Sequence, residues 1–186
     1  MTKSEIITAA ENIFKQFSAT CDAIDENIFY KRHEGKWSVA ENIKHLILSI
    51  NTTTLAYQLP RFLVRWVGGT PNRNSHTYDE LLARYNKKLE EGAKASKRYV
   101  PFSYVPSPSA KKYGKKILLT KWNKLTSKFI IALTVKRTEE DLDSYLVKHP
   151  LLGRITLREL CYFTIFHTEH HLHSIKKITQ PHDTVL

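Results

Sequence analysis

Apolar residues recur along this chain at three- and four-residue intervals rather than in alternation, and clusters of Gly, Pro and Ser interrupt them, which predicts an all-α protein. The first segment, about Ser4 to Ile24, carries Ile6, Ala9, Ile13, Phe17 and Ala19 to Ala23 as a rough stripe facing a core. The second opens at Ser38-Val39-Ala40-Glu41, a capping box whose hydroxyl and carboxylate satisfy the first free backbone donors of a helix. It runs towards Leu59, Arg61 to Trp66 continue it after a kink at Pro60, and Gly68-Gly69-Thr70-Pro71 end it. Thr77-Tyr78-Asp79-Glu80 is a second capping box, and with Leu81, Leu82, Tyr85 and Leu89 it predicts a helix to about Arg98.

Between Val100 and Gly114, Pro101, Pro106 and Pro108 alternate with Phe102, Tyr104 and Tyr113, so the chain there is extended and irregular. Its aromatic residues suit a loop laid on the bundle, or a lid. A helix from Lys115 to Lys136 follows, with Ile117, Leu118, Leu125, Phe129 and Leu133 opposite Lys121, Lys124 and Lys128. A short turn, Thr138 to Tyr145, leads through His149-Pro150-Leu151-Leu152-Gly153 to a third capping box, Thr156-Leu157-Arg158-Glu159, and a last helix to about Ile178. No internal repeat is present. The pattern predicts one domain over residues 1–186: a four-helix bundle with a long irregular loop before the fourth helix and a short extra helix.

Composition narrows the class. The 29 Lys and Arg against 18 Asp and Glu give a net charge of +11, so the surface attracts anions, whether nucleic acid, membrane surface or acidic small molecules. Six Gly and seven Pro exclude collagen-like and linker-dominated chains. Cys21 and Cys161 lie far apart with no CxxC, which gives no sign of a disulfide framework or a thiolate metal site, and a reducing cytoplasm is the expected home. The N-terminus shows no apolar run of signal-peptide length, and Phe129 to Val135 is too short to span a bilayer, so no membrane partner is expected.

The candidate chemistry sits in the last helix, where His167-Thr168-Glu169-His170-His171-Leu172-His173 holds four of the nine histidines. At about 100° per residue, Leu157, Leu160, Cys161, Ile165, Leu172, Ile175 and Ile178 share a face with His171, and His167 lies on its edge. His170, His173 and Glu169 point away. Two imidazoles at i and i+4 on one face can ligate one metal ion; no Glu follows His167, so this is not a zincin. A facing helix must supply a further ligand, and His45 is the best candidate. Its face, with Glu41, Asn42, Ser49 and Thr52, is either solvated or lines a polar cavity, and periodicity does not choose between them.

Trp37-Ser38-Val39-Ala40-Glu41-Asn42-Ile43-Lys44-His45-Leu46 resembles the first signature of the DinB-like superfamily, and His149 to Leu160 followed by His167-x-x-His170-His171 resembles its second. The resemblance covers about Trp37 to Ile178. It implies a four-helix bundle in which His45, His167 and His171 bind a divalent metal. It also implies a hydrolase or a low-molecular-weight-thiol S-transferase acting on a small molecule, and relatives suggest a homodimer of bacterial origin. Where relatives often carry Gly-Gln after the paired histidines, this chain has His173-Ser174. Zinc is the default ion, with nickel, iron or manganese also suited to such ligands, and its open position would acidify a water or activate a thiolate. For Glu41 the capping box is a sufficient explanation, with an acid/base role as the alternative; His170 is a surface residue or a proton shuttle. Trp37 is expected to staple the entry to its helix rather than to serve as a substrate platform. Two rival readings remain: a basic nucleic-acid-binding module around Lys111 to Lys128, and a catalytically inactive bundle stabilised by its metal.

Overall fold

The structure, a computed structural model, describes residues 1–94, 96–102 and 106–179. It is all-α apart from one hairpin. Eight helices are found among these residues: α1 (Lys3–Ala23), α2 (Glu26–Phe29), α3 (Val39–Gln58), α4 (Arg61–Gly68), α5 (Tyr78–Glu90), α6 (Lys111–Lys136), α7 (Glu139–Ser144) and α8 (Leu157–Thr179). The hairpin pairs β1 (Leu146–His149) with β2 (Gly153–Thr156), antiparallel, with His149 opposite Gly153.

The long helices α1, α3, α6 and α8 form the bundle. Helix α1 packs on α6 and α8, and α3 packs on the same two, so α1 and α3 stand diagonally across it. Phe14 meets Trp122 and Phe129 edge to face, Phe17 packs tilted against Trp122, and Tyr57 meets Phe129 edge to face, between α1, α6 and α3. This aromatic centre, with Ile6, Ile43 and Leu133, is buried and contributes to the apolar burial that drives folding. In α8 every residue of the expected stripe is buried, and so are Tyr162, Phe163 and Phe166 on the opposite side. Helix α5 covers that side, its Tyr78 and Tyr85 packing against Tyr162, Phe163 and Phe166.

The three expected capping boxes form, and two more occur at Thr2 with Glu5 and at Thr138 with Asp141. Other boundaries differ. Helix α5 stops at Glu90 instead of reaching Arg98, because Gly92 takes a left-handed conformation (φ 84°) and the Ala93 amide donates back to the Lys88 carbonyl. Only a 3₁₀ turn, Lys97–Tyr99, follows. The bundle's third long helix starts at Lys111, four residues before the expected Lys115, and includes Gly114, where a Cβ would lie 2.7 Å from the Tyr30 hydroxyl. Along α6, Phe129 and Leu133 are buried as expected, but Ile117 is exposed and Leu119 and Trp122 point inward in its place. The α2 turn and the hairpin were not anticipated from the sequence. No described helix is long and apolar enough to cross a membrane.

Candidate metal centre

Helices α3 and α8 bring His45, His167 and His171 together, all three buried. His45 Nε2 lies 3.1 Å from His167 Nε2, and His171 Nε2 lies 3.2 Å from the same atom. The pairing within α8 follows from its periodicity. The third ring arrives because the polar face of α3 turns towards α8, so it lines an internal cavity and is not solvated.

The opposite ring nitrogens fix the protonation pattern. His45 Nδ1 lies 2.7 Å from the Tyr99 carbonyl, which can only accept, so Nδ1 carries the hydrogen. His171 Nδ1 lies 2.6 Å from Asn42 Oδ1. The Asn42 amide is itself oriented, because its nitrogen donates to the carbonyls of Ser38 at 2.9 Å and Trp37 at 3.2 Å, which leaves only its oxygen for His171. Neutral rings protonated at Nδ1 present lone pairs at Nε2, and these converge on His167 Nε2. Ligands around a tetrahedral ion with bonds of about 2.0 to 2.1 Å stand roughly 3.3 Å apart. Two of the three separations match that value and all three donor atoms lie within 4.8 Å of one another, so the donor set, with His45 and His171 in the required tautomer, suits a divalent cation.

Aromatic rings wall the triad. Trp37 stands against His45 with centroids 5.0 Å apart and lies parallel to His171 at 6.2 Å, so it packs on the imidazoles instead of stapling the helix entry. Phe163 stacks on His167 at 4.7 Å. Burial pushes the three imidazoles below their ordinary range; neighbouring triad rings add to this for His167 and His171, and His170 adds to it for His45, where the bond to the Tyr99 carbonyl opposes it. At neutral pH they are available as ligands.

The triad opens into a cavity of about 840 Å³. His149 also lines it. Its Nδ1 accepts from the Leu151 and Leu152 amides at 3.3 and 3.1 Å, closing the hairpin turn, so the hydrogen resides on Nε2. Burial lowers this imidazole to about 4, which keeps it a neutral donor. His170 is exposed but contributes to the cavity wall, its ring centroid 5.3 Å from that of His171. Ser174 also lines the wall, where its hydroxyl donates to the His170 carbonyl, whereas His173 is exposed.

Glu41 faces elsewhere. Its carboxylate accepts from the Ser38 amide at 2.8 Å and from the Arg32 guanidinium, with Nε to Oε2 at 2.8 Å, and it does not line the cavity. Burial alone would raise its pKa, but Arg32 and the Ser38 cap hold it below the usual range. From the irregular segment, Tyr99 and Val100 line the cavity while Phe102 and Tyr113 are exposed. Tyr104 lies outside the described residues.

Asn42, His149 and the Tyr99 carbonyl were not singled out by sequence reasoning. The first two stand within the signature stretches, whereas a backbone acceptor has no side-chain signal.

A family model for the DinB superfamily matches residues 10–175. No curated protein and no solved structure matches the chain significantly.

Proposed function

The chain belongs to the DinB superfamily, and we propose that it is a divalent-metal-dependent enzyme acting on a small molecule, either hydrolysing it or transferring a low-molecular-weight thiol to it. The observation that carries this reading is the convergence of three imidazole Nε2 atoms, two of them on rings whose Nδ1 is tied to an oxygen acceptor, at His45 and His171. His45, His167 and His171 would hold the ion, with zinc as the default. When bound, it supplies Lewis-acid chemistry, making a water or a thiol in its open position more acidic.

The surrounding residues perform the rest. Asn42 and the Tyr99 carbonyl orient two of the ligands. Trp37 and Phe163 exclude water from their outer faces. The His149 Nε2 hydrogen is available to an oxygen of the substrate. Tyr85, whose phenol burial raises to about 12, stays protonated in the same wall. His170 is placed to carry a proton between the cavity and solvent.

The test is metal content per chain by plasma mass spectrometry on untagged protein, for wild type, His45→Ala and His171→Ala. Near-stoichiometric metal in wild type and its loss in both variants supports the triad, and screening of thiols, esters and amides follows. Metal-free wild type that cannot be loaded at neutral pH overturns the proposal.

A further inference from the structure

Charge around the cavity has one sign. Lys36, Lys94, Lys148 and Lys177 line it, and no aspartate or glutamate among the described residues does. The four lysines come from separate places: the segment before α3, the segment after α5, strand β1 and the last turn of α8. A solvated helix face repeats its charges at three- and four-residue steps along a single element, as Lys121, Lys124 and Lys128 do on α6. Convergence from four segments on one opening has no such origin. Among the described residues, Lys36 reaches Glu34 at 3.7 Å on the surface, whereas Lys94, Lys148 and Lys177 have no acidic partner. Arg32, Arg61, Arg73 and Arg158, by contrast, are all paired with carboxylates.

The same wall carries a set of apolar and aromatic side chains, Trp37, Leu89, Val100, Leu151 and Phe163. An apolar cleft lined by one sign of charge concentrates the opposite charge at its mouth. Resting on the metal-site reading, we propose that the substrate is an amphipathic small anion: an apolar or aromatic body lies along the wall, and a carboxylate or phosphate at its far end is held by the lysines. Lys177 is six residues beyond His171, about 9 Å along the helix axis, which sets the separation between the reacting group and the anionic group.

The probes are 4-phenylbutyrate and its neutral counterpart 4-phenylbutyramide, titrated calorimetrically against the full chain. Four proteins are compared: wild type loaded with zinc; metal-free His45→Ala; the triple variant Lys94→Glu, Lys148→Glu, Lys177→Glu; and the triple variant Lys121→Glu, Lys124→Glu, Lys128→Glu, which changes net charge equally on the outer face of α6. The acid should bind about tenfold more tightly than the amide to wild type and to His45→Ala. The preference should vanish in the cavity triple and persist in the α6 triple.

Equal binding of acid and amide to wild type overturns the proposal, as does an equal loss in both triples or no binding of either probe at millimolar concentration. Because the preference is also read in the metal-free variant, the two claims fail separately. Absence of metal with the preference retained removes only the metal reading, and bound metal without the preference removes only the anionic substrate.

Discussion

Replacing Asn42 by alanine removes the acceptor that, among the described residues, holds His171 Nδ1. The Asn42 oxygen accepts from His171 Nδ1 at 2.6 Å, and the amide is locked in that sense by donation to the Ser38 and Trp37 carbonyls. Without it, the ring keeps its stack on Trp37 but loses the preference that leaves the lone pair on Nε2. Outer partners of metal-ligating histidines are typically worth 10- to 100-fold in affinity, or about 1.4 to 2.8 kcal/mol. The site lies well inside that range rather than at its lower end, because Asn42 and His171 are both buried. The Nδ1 hydrogen is then left without an acceptor, a cost of about 1 to 3 kcal/mol. The expected loss is therefore about 30-fold.

Competition for zinc against a chromophoric chelator at neutral pH measures it. Asn42→Asp is the informative companion: it keeps an oxygen facing His171 and makes it anionic, while losing both donors to the carbonyls. It should retain metal affinity but lower the stability of the metal-free protein. Affinity of Asn42→Ala within about threefold of wild type, with unchanged helicity, would refute the orienting role. So would an equal affinity loss in the two variants.

Three further outcomes follow from the same geometry. The buried Glu159 carboxylate would be raised by burial alone, but Arg73, the His76 and Thr156 amides and the His76 ring draw it down to about 2 from 4.5. A depressed carboxylate stabilises the fold above its unfolded-state value and loses that contribution as pH falls from about 4.5 to about 2. Urea melts of Glu159→Gln should thus be about 3 kcal/mol weaker at neutral pH, with the difference shrinking across that window. Gly68→Ala should lower stability by more than about 2 kcal/mol in the same melts, since its Cβ would lie 1.5 Å from the Leu146 carbonyl oxygen and displace β1. Chelator treatment should leave helical circular dichroism intact while lowering the melting temperature by an amount that grows with the metal concentration of the reference sample.

Residues whose environment follows from one helix's own periodicity were legible in the sequence. The α8 stripe and the inward direction of His171 belong to this class, and so do the starts of α3, α5 and α8, because each capping box is a local device. His45 marks the limit. Periodicity shows that its face is not packed in the aromatic core, but only the placement of α8 and of Tyr99 turns that face into a cavity wall. The hairpin escaped because Leu146-Val147-Lys148-His149 does not alternate and its turn is closed by a histidine ring. The overrun of α5 past Gly92 was avoidable, since glycine at that position is the usual mark of a helix end. Helix α6 misled for a different reason: apolar residues on nearly every side allow more than one inward face, and contact with α1 and α3 selects Trp122 over Ile117.

The choice between a catalytic and a merely stabilising ion turns on how the site is closed. Structural zinc sites complete four protein ligands, whereas catalytic ones keep a position open. Here the described residues supply three donors in one cluster and no fourth, and the triad faces a large cavity. The bundle does not need the ion for its core either. Phe14, Phe17, Trp122 and Phe129 close between α1 and α6, whereas the triad joins α3 to α8. An ion held only for stability would be best placed where apolar burial is thin and where its last position is filled by protein. This site instead combines two tautomers set by their outer partners, a large adjoining cavity, a neutral His149 donor and lysines with no acid among the described lining residues, a combination that favours the proposed catalytic reading over an ion held only for stability.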